Sequence, residues 1–159
     1  MILRRFELRD AEQIARLFHD TMRIVNLGDY TEEQVEAWAP ADIHFRNWAE
    51  FCSSRWTVVA EEDGLVVGYA QLEANGHIDH FYVHNRHQRK GVGSRLHAAI
   101  ETEARRLNCA RLFTEASITA RPFFERMGHR MIRKQTVTCR GQDFTNYAME
   151  KPLENAALT

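Results

Sequence analysis

Apolar positions recur along this chain with two different periods, and the change between them divides it. In the first third the period is helical. Ile14, Leu17, Phe18 and Met22 share one helix face, and Asp10-Ala-Glu-Gln13 ahead of them reads as a capping box. Asn26-Leu-Gly-Asp29 breaks that helix. Thr31-Glu-Glu-Gln34 is a second capping box, with Val35 and Trp38 behind it, before Pro40 interrupts. Asp42 is placed to cap a third helix carrying Phe45, Trp48 and Cys52. The period then shortens to that of strands. Runs 56–61 and 65–73 flank Asp63-Gly64, and the run 77–84 follows Asn75-Gly76, both strong hairpin signals. A short strand, 2–6, opens the chain. Val92, Leu96, Ala99, Ile100, Ala104 and Leu107 return to helical spacing. A strand at 111–116 and a short helix at 119–127 follow, the helix ended by Gly128 as a C′ glycine. Two last strands, 129–139 and 143–150, flank Arg140-Gly141-Gln142. Hairpin-joined strands run antiparallel, whereas strands on either side of a crossover helix run parallel. The order therefore predicts an α/β (α+β) fold with a mixed sheet of about seven strands. Residues 1–152 are expected to form one domain and 153–159 a flexible tail.

Composition narrows the function classes. Hydrophobic residues make up 44% and charged residues 27%, and the net charge is 21 − 22 = −1. A bulk electrostatic grip on nucleic acid or on an anionic membrane is not expected at that charge. No apolar run approaches the ~20 residues of a spanning helix, and the first residues lack the apolar stretch and cleavage site of a signal peptide. Cys52, Cys109 and Cys139 are odd in number and widely spaced, which points to a reducing, cytoplasmic setting.

Candidate chemistry concentrates in Gln88-Arg89-Lys90-Gly91-Val92-Gly93-Ser94, between an apolar strand and a helix. The first amides of a helix have no partner within it and attract anions, and glycines let the backbone approach a ligand closely. Arg86, Arg89 and Lys90 add positive charge. Two phosphate-binding patterns fail here. Gly93 is followed by Ser94 rather than by Lys-Ser/Thr, and Leu96 stands where the dinucleotide fingerprint needs Gly or Ala. The turn matches a third pattern, Gln/Arg-x-x-Gly-x-Gly/Ala, and so resembles the GNAT superfamily of acetyl-CoA-dependent N-acetyltransferases. Phe81-Tyr82-Val83 ahead of it and Ser94-Arg95-Leu96 after it are similar to that family. So is Ala120-Arg121-Pro122-Phe123-Phe124-Glu125-Arg126-Met127-Gly128-His129, and the element order matches from about Ile2 to Lys151.

The resemblance implies helices on both faces of the sheet and two splayed central strands, here 77–84 and 111–116. It implies acetyl-CoA as co-substrate. The pyrophosphate would lie over the amides of Arg89, Lys90, Gly91, Val92, Gly93 and Ser94, with Gln88 and the basic side chains on the phosphates. The pantetheine arm would run along Phe81, Tyr82 and Val83, with Ser117 and Phe124 on the far side. An oxyanion donor is expected at the N–H of Tyr82 or Val83. The implied reaction is direct attack of a primary amine on the thioester in a ternary complex. A general base is needed, and Asp79, His80 and His77 are the candidates. His77 and Asp79 share one face of a regular strand and His80 lies on the other. Relatives use a Tyr where this chain has Phe124, so the departing thiolate must be protonated by another group, such as Ser117, Tyr147 or water, or leave unaided. The helices of 10–52 imply the acceptor side, with Tyr30, Asp29 and His44 as candidate contacts and Trp38 and Trp48 read as core. The partner is expected to be a small-molecule or peptide amine, and the protein a monomer or homodimer. No metal site is expected, since strand positions 77 and 80 point to opposite faces. A coenzyme-A-binding regulatory module without efficient catalysis is the alternative. A protein-interaction domain that uses the glycine turn only as a turn is a third.

Overall fold

Residues 1–24 and 28–153 are described in the computed structural model of the protein. Asn26 and Leu27 of the expected pocket loop, and the tail 155–159, lie outside the described residues. The chain runs β1 (Ile2–Arg5), α1 (Ala11–Ile24), α2 (Glu32–Trp38), α3 (Trp48–Ser53), β2 (Trp56–Glu62), β3 (Leu65–Leu72), β4 (Ile78–Val83), α4 (Val92–Arg106), β5 (Arg111–Ser117), α5 (Arg121–Arg126), β6 (Arg130–Cys139) and β7 (Gln142–Pro152). At Asp63 (φ 52°) and Gly64 (φ 80°), and again at Arg140 (φ 47°) and Gly141 (φ 80°), two consecutive residues are left-handed. That is the type I′ turn whose twist suits a hairpin.

Three local expectations need correcting. Asp10 does not form a capping box with Gln13. Its carboxylate accepts both terminal nitrogens of Arg4 at 2.8 Å and the Glu7 N–H at 2.8 Å, closing a 3₁₀ turn ahead of α1. Gln13 Oε1 accepts instead from the Val66 N–H. Asn47, not Asp42, caps α3, accepting from the Glu50 N–H, while Asp42 accepts from the His44 N–H in a local turn. Leu153, read as the start of the tail, is buried and donates its N–H to Ala110 C=O.

Among the described residues the strands form two hydrogen-bonded sheets, β1-β2-β3-β4 and β5-β7-β6, antiparallel within each. The described bridge between them is the parallel pair His77–Phe113. There the Phe113 N–H donates to Gly76 C=O (3.1 Å), and Thr114 Oγ1 donates to Ile78 C=O (2.9 Å). Beyond this apex β4 and β5 part into a V, as the splayed strands of the resemblance imply. Gly76 makes the apex possible: its φ is 96°, and a Cβ there would stand 2.2 Å from the Arg111 carbonyl oxygen. One face of the sheet is covered by α4, with Leu96 and Ile100 packed on Val58, Val67, Ala70 and Ile78. The other is covered by α1 and α3, with Phe18, Leu17 and Trp48 on Val59, Val66 and Tyr69.

β4 is not regular. Ala70 pairs with Phe81 but Leu72 pairs with Ile78, so two steps on β3 face three on β4. The extra residue is a β-bulge at Asp79–His80. Ile78 joins the α4-side core, and His80 and Tyr82 both reach the Phe18 ring on the opposite side.

Candidate active site

The turn after β4 has Arg89 (φ 61°) and Gly91 (φ 82°) in the left-handed region, with Gly91 as the N-cap of α4. No side chain caps that end, so its amides remain available to an anion. They border a cavity of about 860 Å³ whose walls include Phe81, Tyr82, Val83, Gln88, Arg89, Gly91, Gly93, Ser94, Ser117 and Phe124. Lys90 and Val92 do not line it. Val92 is buried in the α4-side core, so only its backbone can serve a ligand. The Gln88 carboxamide turns back and donates to Val83 C=O at 2.6 Å. Gly93 has a packing role: a Cβ there would stand 2.9 Å from the Phe123 ring. Arg126, unforeseen from the sequence, also borders this cavity from α5.

The edge of β4 that faces the gap follows from its pairing with β3. The His84 N–H donates to Val67 C=O, so His84 and, two residues back, Tyr82 are turned toward β3. Phe81 and Val83 therefore present their amides to the V, and Val83 C=O is where Gln88 docks. Of the two amides expected to serve an oxyanion, that of Val83 faces the gap and that of Tyr82 is turned toward β3.

A second cavity, about 430 Å³, lies on the α1–α3 side. It shares Phe81, Tyr82, Ser117, Ala120 and Phe124 with the first, so the two meet inside the V. Asp79 and His80 both line it. A regular strand would send them to opposite faces, and the bulge turns both the same way. The His80 ring is buried, with Nδ1 2.9 Å from the Tyr69 hydroxyl and Nε2 3.3 Å from Arg46 Nη1. Arg46 can only donate, so Nε2 is the bare nitrogen and Nδ1 carries the proton. Burial, reinforced by Arg46 and Arg55, holds His80 well below the usual imidazole pKa, hence neutral. Asp79 lies 2.9 Å from Arg55 Nε in a charge contact. Burial raises its pKa, with Arg55 opposing.

His77 is removed from the base candidates. It lines neither cavity, and it bonds Glu115 (2.8 Å) and Glu73 (2.7 Å) at the apex of the V. Glu115 first and Glu73 second raise its pKa to about 9, so at neutral pH it is a cation with no free lone pair to take a proton. Of the acceptor contacts, Tyr30 lines the second cavity, its hydroxyl accepting from the Ile118 N–H and donating to Thr145 C=O. Asp29 and His44 do not. Asp29 accepts from Thr119 Oγ1, and His44 Nε2 pairs with Glu12. Trp38 lines the cavity beside Phe144 rather than serving only as core, whereas Trp48 is buried.

Comparison with known proteins agrees with this geometry. Residues 26–151 match the family described as acetyltransferase (GNAT) domain. The chain belongs to the GNAT acetyltransferase family. It is 32% identical over 148 residues, 92% of this chain and 93% of the other, to an uncharacterized N-acetyltransferase, YafP, of Escherichia coli. The crystal structure of a GCN5-related N-acetyltransferase from Rhodopseudomonas palustris is 34% identical and superposes with a TM-score of 0.89, covering 96% of this chain and 95% of that one. PaiA N-acetyltransferase from Thermoplasma acidophilum, solved with coenzyme A, is 15% identical with a TM-score of 0.76, covering 96% and 98%. In this acetyltransferase Phe124 is buried against Phe81, Phe123 and His129 and borders both cavities. Ser117 borders both as well. Tyr147 borders neither, and its ring is covered by Arg121, so it drops out as a proton source. Arg46 was missed from the sequence. It lies in a turn ahead of α3, in a segment whose apolar spacing reads as helix, and no motif marks it.

Proposed function

We propose that this acetyltransferase carries acetyl-CoA in the larger cavity and a primary amine in the smaller, and joins them by direct attack. The observation that carries the reading is the wall the two cavities share inside the V, because direct attack requires both molecules at once. The pyrophosphate lies on the amides of 89–94 and the pantetheine arm along Phe81–Val83 as an added strand. Asp79 is the first candidate for taking the amine proton. It reaches the acceptor cavity, and a carboxylate with a raised pKa is closer to the ideal for a base at neutral pH. His80 stands beside it with its lone pair covered by Arg46. The Phe81 and Val83 amides stabilise the oxyanion. Ser117, whose oxygen accepts from the Ala120 N–H, is a hydroxyl on the wall that the two cavities share and is the candidate to protonate the thiolate.

Initial velocities over a grid of acetyl-CoA and amine concentrations test this. Intersecting reciprocal plots are expected. Parallel plots with an acetylated Cys139 on the protein, the thiol that borders the acceptor cavity, would replace direct attack by a two-step route. Asp79→Asn is expected to lower kcat by about 10²-fold or more, the usual contribution of a positioned base, with the thermal shift by coenzyme A retained. If kcat is unaffected, Asp79 is not the base. A regulatory module would bind coenzyme A tightly and release no thiol with any acceptor.

A further inference from the structure

The charges around the acceptor cavity do not balance. Its lining includes two carboxylates, Asp79 and Glu115, and one permanent cation, Arg46. Each carboxylate is matched by a cation that stands outside the cavity, Asp79 by Arg55 and Glu115 by the charged His77. Arg46 has no ion-pair contact of that kind, and acts on Asp79 only at a distance. Among the described residues no carboxylate lies within 4.0 Å of it, and its hydrogen-bond partner is the neutral imidazole of His80 at 3.3 Å. It is fixed in place nonetheless. Its guanidinium lies over Phe51 (4.2 Å), Trp48 (5.0 Å) and Phe45 (5.3 Å), three rings that hold its plane, and among the described residues His80 is the one hydrogen-bond partner it has. A planar fork of N–H donors held rigidly at a cavity wall matches a carboxylate. A phosphate would call for a second cation, and the cavity offers none. The rest of the wall is aromatic, with Tyr30, Trp38, Tyr82 and Phe144.

We infer that Arg46 anchors a carboxylate on the acceptor, so that the preferred substrate is an amine that also bears a carboxylate, such as an apolar or aromatic amino acid. The inference rests on the smaller cavity being the amine site.

The test compares matched pairs, L-phenylalanine with phenethylamine and L-tryptophan with tryptamine. The wild-type chain, Arg46→Gln and Arg46→Lys are each measured by turnover with acetyl-CoA and by calorimetric binding in the presence of coenzyme A. The wild type is expected to favour the carboxylate-bearing member by about tenfold or more, the factor a hydrogen bond to a charged group is typically worth. Arg46→Gln should collapse that ratio toward unity and Arg46→Lys should keep part of it, with a coenzyme A thermal shift certifying the fold of each. Equal loss for both members of a pair, or a wild-type preference for the decarboxylated member, would overturn the anchor and leave the acetyl-transfer reading intact. Conversely, Arg46-dependent binding of the amino acids with no thiol release from any acceptor would uphold the anchor and sink that reading.

Discussion

Single side chains here do work that their motif positions do not advertise. Gly93 belongs to the phosphate-turn pattern, yet its missing Cβ makes room for the Phe123 ring. Gly93→Ala should therefore push α5 off the turn, lowering stability by about 1–3 kcal/mol, the usual cost of overpacking, and raising KM for acetyl-CoA. Thermal unfolding together with donor kinetics checks this. An unchanged melting temperature would mean that Phe123 yields freely. The geometry of the glycine turn was legible because it is local: a strand, two glycines and a helix start leave amides without a side-chain cap. Arg46 was not legible, because its place at the cavity depends on His80, which β4 brings to it from far along the chain.

At the scale of elements, turns were the easiest to read. Asp63-Gly64 and Arg140-Gly141 carry their hairpins in two residues each, and the structure keeps both. Helix starts were harder, since Asp10 and Asp42 each had a competing partner, Arg4 in one case and the His44 amide in the other. The bulge in β4 was invisible. A period-of-two reading assumes one residue per step, and nothing in Ile-Asp-His-Phe announces an extra one. Deleting Asp79 should restore regular alternation in β4 and leave His80 on the α1 side. The deletion is expected to melt within about 4 °C of the wild type, the shift that about 1 kcal/mol makes in a domain of this size, and to show kcat at or below that of Asp79→Asn. A much larger fall in melting temperature would make the bulge part of what holds the sheet together.

For the whole molecule, the junction of the two half-sheets is the point to probe. His77 is the charged clip there, reaching Glu73 on its own half and Glu115 on the other. Its pKa is raised to about 9, so its contribution is complete below the ordinary imidazole value near 6.5 and is lost as pH rises through 9. Because both carboxylates are more than a third exposed, solvent screening limits the loss to about 1–2 kcal/mol. Chemical denaturation from pH 6 to pH 10 should show this decline in the wild type and a flatter profile in His77→Gln. Coincident profiles would place the clip elsewhere. The V that opens from this junction leaves the outward backbone groups of Phe81 and Val83 as a strand edge inside the protein rather than on its surface. An open edge is normally an invitation to any extended chain, and proteins blunt theirs with charge or cover. Here the edge opens onto the two cavities instead. Cover by the cavity walls takes the place of those devices, and the amides of Phe81 and Val83 face inward.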